Sequence, residues 1–339
     1  MSTFAPGSVA AREAVPLLVV EGLTVAFPTR SGVVLAVDGI SFSLEKGRTL
    51  GLVGESGCGK SMTLRAVLGL VPYPGEVVAG SIRLHGQELR GLGPAALRGV
   101  RGLRISMIFQ DPGASLDPVF SVGDQLSETL CKRLGLDRST AHRRSLELLD
   151  RVGIPSGAAR LRDYPHQLSG GMRQRIMIAL AIATHPDLLL ADEPTTALDV
   201  TIQDQILDLL TEIRVETGMG MLLVSHDAGV VAQTADEVAV MYAGHLVETG
   251  PATDVLATPR HPYTRGLVGA IPSLAARDPE ARLLPIPGQP PDLATLPPGC
   301  PFAPRCSYTI DACASVPMTL DAQPPGHGSA CPFVGRVGA

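Results

Sequence analysis

The sequence predicts an α/β fold in which short buried strands alternate with helices around a phosphate-binding loop, followed by a proline-rich C-terminal extension. Three observations carry that expectation. The runs "RTLGLV", "RISMIFQ", "DLLLADE" and "GMLLVSH" are short and almost continuously apolar, as strands covered on both faces of a parallel sheet must be. The first of them runs into G-x-x-x-x-G-K-[ST] and then into a helical pattern, the context such a loop requires. Beyond residue 250 proline dominates and periodicity fades, as in "LLPIPGQPPDLATLPPGCPFAPRC".

Composition sets the class. With 339 residues, 45% hydrophobic and 18% charged, the chain is long and apolar enough for one large or two modest cores. The balance of 28 Lys and Arg against 33 Asp and Glu, a net charge of −5, argues against a nucleic-acid footprint. The densest basic stretch, Arg98-Gly-Val-Arg101-Gly-Leu-Arg104, reads as a solvated loop face. The opening "MSTFAPGSVAAREAV" lacks the basic start and apolar run of a signal peptide. The apolar runs around 176–184 and 219–225 are core-sized, well short of the ~18 residues of a membrane helix. A cytosolic chain is expected, in which stable disulfides are rare.

The elements follow in order. After a tail over 1–16, "LLVVEGLTVAF" (17–27) and "VVLAVDGISFSLEKG" (33–47) read as strands joined by a turn. Residues 48–70 form strand, glycine-rich turn and helix, and 104–110 a further strand. An insert over about 111–170 is helical, with Leu146, Leu149 and Val152 at helical spacing in "STAHRRSLELLDRVG". Strands at 187–193 and 220–226 complete a core that ends near residue 250, and 251–339 form the extension.

The chemistry sits where these strands end. Gly54, Glu55, Ser56, Gly57, Cys58, Gly59, Lys60 and Ser61, with Met62 beyond them, form the expected ATP-binding segment. Its glycines free backbone N–H groups to wrap phosphates at a helix N-terminus. Lys60 would reach the β- and γ-phosphates and Ser61 would hold Mg²⁺; Cys58 fills a variable position. Asp192, ending "LLLAD", is placed to hold Mg²⁺, and Glu193 beside it to act as general base on the attacking water. In "QLSGGMRQR", Ser169 is a helix N-cap, and Gly170 and Gly171 leave N–H groups bare for an anion ahead of Gln174. The following "IMIALAIAT" is apolar all round, so its helix is expected to be buried.

With L-S-G-G-x-x-Q, residues 17–250 resemble the ATP-binding subunits of ABC transporters. The resemblance implies an ABC-type ATPase core: a mixed sheet with helices, an antiparallel β subdomain and the helical insert. It further implies that Phe27 stacks on adenine, that Gln110 contacts Mg²⁺ or water, and that His226 contacts the γ-phosphate. By the same resemblance Asp199 crosses the interface of a head-to-tail dimer, in which Ser169, Gly170, Gly171 and Gln174 bind the partner's nucleotide. The segments "HPYTRGLVGAIPSL", "PIPGQPPDL" and "GCPFAPRC" resemble the C-terminal region of dipeptide and oligopeptide importer ATPases. Such subunits sit on the cytoplasmic side of the membrane with a second ATPase, two permeases and an extracytoplasmic binding protein. A nickel importer shares the architecture and stays open as an alternative. A nucleic-acid factor is disfavoured by the acidic balance and the lack of a coiled coil. A degenerate regulatory subunit is disfavoured by the presence of Lys60, Asp192, Glu193 and His226.

Four cysteines remain: Cys300, Cys306, Cys313 and Cys331, spaced C-x₅-C-x₆-C-x₁₇-C in a segment with little core of its own. Four thiolates could staple it around a metal. The close C-x₂₋₄-C pairs of structural zinc are absent, and Cys₄ ligation also suits an iron–sulfur cluster. The resemblance favours a [4Fe–4S] centre, with zinc second.

Overall fold

The structure is a computed structural model that describes residues 16–30, 32–196, 198–270, 286–320 and 326–333. The expected tail, but for residue 16, lies outside these residues, as does part of the extension.

Two sheets organise the chain. The first is antiparallel, in the order β2-β1-β4-β5, from β1 (Leu18–Thr29), β2 (Gly32–Leu44), β4 (Glu76–Leu84) and β5 (Gln87–Glu88). The second has the order β11-β10-β9-β3-β8-β7-β6. Its parallel centre comprises β3 (Thr49–Val53), β6 (Ile105–Ile108), β7 (Leu188–Asp192), β8 (Gly220–Ser225) and β9 (Glu237–Tyr242). Its antiparallel edge is β10 (His245–Pro251) and β11 (Gly328–Ser329).

The central strands are buried end to end because each of their faces meets a different layer. Leu188, Leu190, Leu222 and Val224 pack toward the antiparallel sheet and the helix Lys60–Val67. Their neighbours Leu189, Ala191, Met221 and Leu223 pack toward the helical insert, with the alternation a pleated strand requires. Within the insert, Ser121 and Asp124 form a capping box on the helix Val122–Leu134, and Asp137 caps Arg138–Arg151. Leu126, Leu130, Leu148, Leu149 and Val152 are buried there, and Leu146 packs at their edge. The helix Gly170–Ile182 is buried along "IMIALAIAT", as its uniform apolarity predicts.

The basic stretch is solvated at Arg98, while Arg101 and Arg104 are partly buried and partnered. Arg101 donates from Nε to the Leu68 carbonyl at 2.7 Å, capping the end of the helix Lys60–Val67, and Arg104 pairs with Asp187 at 3.1 Å. The extension packs onto the main sheet: β11 pairs with β10, and Tyr263 and Phe302 are buried against Tyr242 of β9, with ring centroids 4.6–5.4 Å apart. The fully buried Glu248 of β10 tethers it, accepting from the N–H groups of Arg260 and His261 and from His327 Nε2 at 2.6–2.7 Å. A segment with little core of its own therefore completes that of the main sheet.

Candidate functional site

The C-terminal ends of β3, β6, β7 and β8 lie on one edge of the sheet, with Val53 in register with Ser225 and Asp192 with Val224. Ligands bind at that edge of α/β sheets. The loop after β3 depends on glycine at two points. Gly54 has φ +156, and a Cβ there would meet the Met241 carbonyl at 2.1 Å; Gly59 has φ +111, and a Cβ would meet the Ala36 carbonyl at 2.4 Å. Cys58 is buried behind the loop, and burial pushes its thiol pKa up.

Lys60 is 5% exposed, and its ammonium donates to the carbonyls of Gly54 (2.6 Å) and Glu55 (3.0 Å). A buried cation held by carbonyls is an incomplete pairing that an anion would complete. Ser56, Gly57, Gly59, Lys60, Ser61, Met62, Ala36, Gln110 and Glu193 line one cavity of about 310 Å³ beside it.

Ser61, from this lining, donates from Oγ to the buried Asp192 Oδ1 at 2.8 Å. Burial, and then the charge of Glu193, raises the Asp192 pKa; the Ser61 bond opposes the shift. A buried carboxylate bonded to a hydroxyl of the cavity lining supplies the oxygen donors a hard divalent cation takes. Glu193 is the hub. Its Oε2 accepts from Gln110 Nε2 at 2.9 Å and from Thr196 Oγ1 at 2.8 Å, and lies 3.2 Å from His226 Nδ1. It is also left-handed, at φ +48, a conformation that costs a non-glycine residue about 1–3 kcal/mol. Its N–H, bonded to the Val224 carbonyl at 3.0 Å, holds it there. A carboxylate fixed this way beside a phosphate loop can receive a proton from water.

Other expected residues lie apart from this cavity's lining. Ser169 caps its helix by accepting from Met172 N at 3.3 Å, and Gly170 is exposed while Gly171 is half-buried. Gln174 is buried and donates to the Pro194 carbonyl at 2.5 Å, joining the signature helix to the loop after Glu193. Asp199 is exposed at the start of the helix Val200–Thr217. Phe27 packs its ring against Gly75, where a Cβ would meet it at 2.4 Å. Sequence reasoning missed Thr196, whose "EPTT" context gave only a polar loop, and two residues of the extension. Tyr263 accepts from Glu55 N through its hydroxyl at 2.8 Å, and Arg305 grips the Glu55 carboxylate at 2.6 and 2.9 Å.

Cys300, Cys306, Cys313 and Cys331 line a single small cavity of about 30 Å³ with Phe302 and His261. Burial, joined by the neighbouring Cys313 and Cys331, pushes Cys300 up to about 11. The structure thus brings all four thiols to one place. Among the described residues, however, no three His, Cys, Asp or Glu stand in a metal-holding arrangement.

Fold and site together define a phosphate-loop nucleotide-binding domain, and the comparisons with known proteins agree. The ABC transporter family model matches residues 37–196, and the model for the oligopeptide/dipeptide transporter C-terminal region matches 247–313. The dipeptide transport ATP-binding protein DppD of Bacillus subtilis is 51% identical over 301 residues, spanning 88% of this chain and 89% of the relative. A putative peptide import ATP-binding protein of Brucella abortus is 48% identical, spanning 93% and 96%. The oligopeptide transport ATP-binding protein OppD of Mycobacterium tuberculosis is 50% identical over 93% of this chain, which spans about half (52%) of that longer relative. Among solved structures, the ATP-binding cassette MJ0796, dimeric and bound to ADP and Pi, superposes with a TM-score of 0.63 at 24% identity, covering 69% of this chain and 98% of that one. The chain cbiO1 from Clostridium perfringens superposes at 0.61 with 27% identity, covering 72% and 91%. The chain belongs to the family of ABC transporter ATP-binding proteins, with the C-terminal region of its oligopeptide/dipeptide branch.

Proposed function

We propose that this chain is the ATP-hydrolysing subunit that energises uptake of dipeptides and oligopeptides through an ABC importer. It would sit on the cytoplasmic side of the membrane against two permease subunits and a second ATP-binding subunit, with an extracytoplasmic binding protein delivering cargo. Among the described residues no helix is long and apolar enough to cross a membrane. The observation that carries the reading is one chain joining a phosphate-loop site to an oligopeptide/dipeptide-type C-terminal region. The names of its relatives favour peptide cargo over nickel.

The residues divide the work. Lys60 exchanges its carbonyl partners for phosphate oxygens, and loop N–H groups hold the remainder. Ser61 and Asp192 would hold Mg²⁺, which neutralises charge developing on the transferred phosphoryl group. Gln110 and Thr196 aim Glu193, which takes the proton of the attacking water, and His226 lies where it can donate to the γ-phosphate. Ser169, Gly170, Gly171 and Asp199 lie outside this cavity's lining, consistent with their serving a nucleotide held by the partner subunit. Phe27, near the end of β1, would meet adenine.

In the extension, Cys300, Cys306, Cys313 and Cys331 would hold a [4Fe–4S] cluster, with zinc second, as a structural staple. Their shared cavity and all-thiol chemistry support a soft metal, and the thiols would close in upon ligation. Reconstituting the chain with its permeases and partner ATPase in proteoliposomes tests the function. Peptide-stimulated ATP hydrolysis and peptide accumulation are expected; stimulation by nickel instead would refute the cargo. Anaerobically purified chain should carry about four irons, while stoichiometric zinc or no metal would overturn the cluster.

A further inference from the structure

We infer that Arg305 and Tyr263 of the C-terminal extension are positioning residues for the phosphate loop, fixing Glu55 and neutralising the charge it brings to that loop. This rests on the nucleotide-binding reading above. Every polar group of Glu55 is committed. Its N–H donates to the Tyr263 hydroxyl at 2.8 Å and its carbonyl accepts from Lys60 at 3.0 Å. Its carboxylate takes a two-pronged grip from Arg305, Nη1 to Oε2 at 2.6 Å and Nη2 to Oε1 at 2.9 Å.

The grip is rigid because Arg305 is itself pinned. Its side chain is 6% exposed; its Nε donates to the Pro287 carbonyl at 2.8 Å, its Nη1 to the Tyr242 hydroxyl at 3.3 Å, and the guanidinium lies 5.8 Å from the Tyr242 ring centre. The residue belongs to a tight turn that begins at the Cys300 carbonyl and closes with Cys306 N on Ala303. The pair joins residues 250 apart in sequence.

Two effects follow for nucleotide binding. A loop pinned at Glu55 loses less freedom when it wraps phosphates. An unpaired carboxylate on the loop that wraps a polyphosphate would repel it, and the buried guanidinium cancels that charge. A plain structural staple would show the first effect without the second, so the charge is what the test must isolate.

The test is MgATP affinity of the full-length chain, measured by displacement of a fluorescent ATP analogue. Arg305→Gln should weaken binding roughly 5- to 30-fold, since it leaves Glu55 charged and unpaired. Arg305→Gln combined with Glu55→Gln should return to within about threefold of wild type, because no charge is stranded. Tyr263→Phe, which removes only the hydroxyl, should weaken binding about threefold and speed hydrogen exchange at residues 54–61. Binding by Arg305→Gln within twofold of wild type overturns the proposal, as does a double variant no better than the single. If Arg305→Gln does not fold, the double variant and Tyr263→Phe decide: unaltered affinity and exchange in Tyr263→Phe overturn it. Lys60→Ala run alongside separates the two readings, because wild-type binding that ignores Lys60 would sink the nucleotide site itself.

Discussion

Replacing Glu193 with Gln changes one atom at the hub of the site. The amide keeps the carboxylate's shape, and its oxygen can still accept from Gln110 and Thr196, now 2.9 and 2.8 Å away. Those bonds weaken from charge-assisted to neutral, a loss of about 1 kcal/mol in fold stability. Nothing at Lys60 or in the loop backbone is touched, so MgATP affinity should stay within about threefold of wild type. On the proposed mechanism, what disappears is the acceptor for the proton of the attacking water. A general base is worth roughly 10²–10⁴ in rate, or about 2.7–5.5 kcal/mol of barrier. Single-turnover hydrolysis by the assembled complex should fall by that factor while ATP binding persists, and the ATP-bound dimer should accumulate. Turnover within tenfold of wild type would remove Glu193 from the role of base, and a parallel loss of affinity would make it a binding residue instead.

Three other outcomes are expected. Because burial raises the pKa of Asp192 above the ordinary 3.8, its ionised form costs folding stability at neutral pH. Asp192→Asn should therefore stabilise the nucleotide-free chain by about 1 kcal/mol while abolishing the thermal shift produced by MgATP; a lower melting temperature without nucleotide contradicts this. His261 is 1% exposed, and burial alone lowers its pKa from 6.5 to about 3, so the unfolded chain binds the extra proton between those values. Stability is complete above pH 6.5 and falls as pH drops toward 3, approaching ~1.4 kcal/mol per pH unit from this group. His261→Asn, which keeps an acceptor for Tyr263 N, should flatten urea midpoints measured between pH 7 and 5; an unchanged slope would assign the acid sensitivity elsewhere. Finally, the isolated chain should hydrolyse ATP slowly and gain steeply on mixing with its partner subunits. A fast rate independent of concentration would show that one chain holds a whole site.

The sequence by itself determined what depends on neighbours along the chain. The loop from Gly54 to Ser61 was legible because its glycines answer local steric demands and its lysine and serine stand at fixed offsets. The buried strands showed as apolar runs, and Ser169 as a cap, because caps and pleats are settled within a few residues. Sheet order was a different matter. The strands β4, β5, β9, β10 and β11 went unread, and only the folded chain sets the order of β3, β6, β7 and β8 that lets Lys60, Gln110, Glu193 and Ser61 share one cavity. The partners of Arg101 and of the extension went unread for the same reason: Arg101 finds its carbonyls and Arg305 its carboxylate far along the chain. Long-range pairs and shared cores are selected by burial and charge balance in three dimensions, and these leave no periodicity to read. Hence four cysteines could be counted from the sequence, but only tertiary packing could bring them around one cavity, two of them, Cys300 and Cys306, on the turn that holds Arg305 against the phosphate loop.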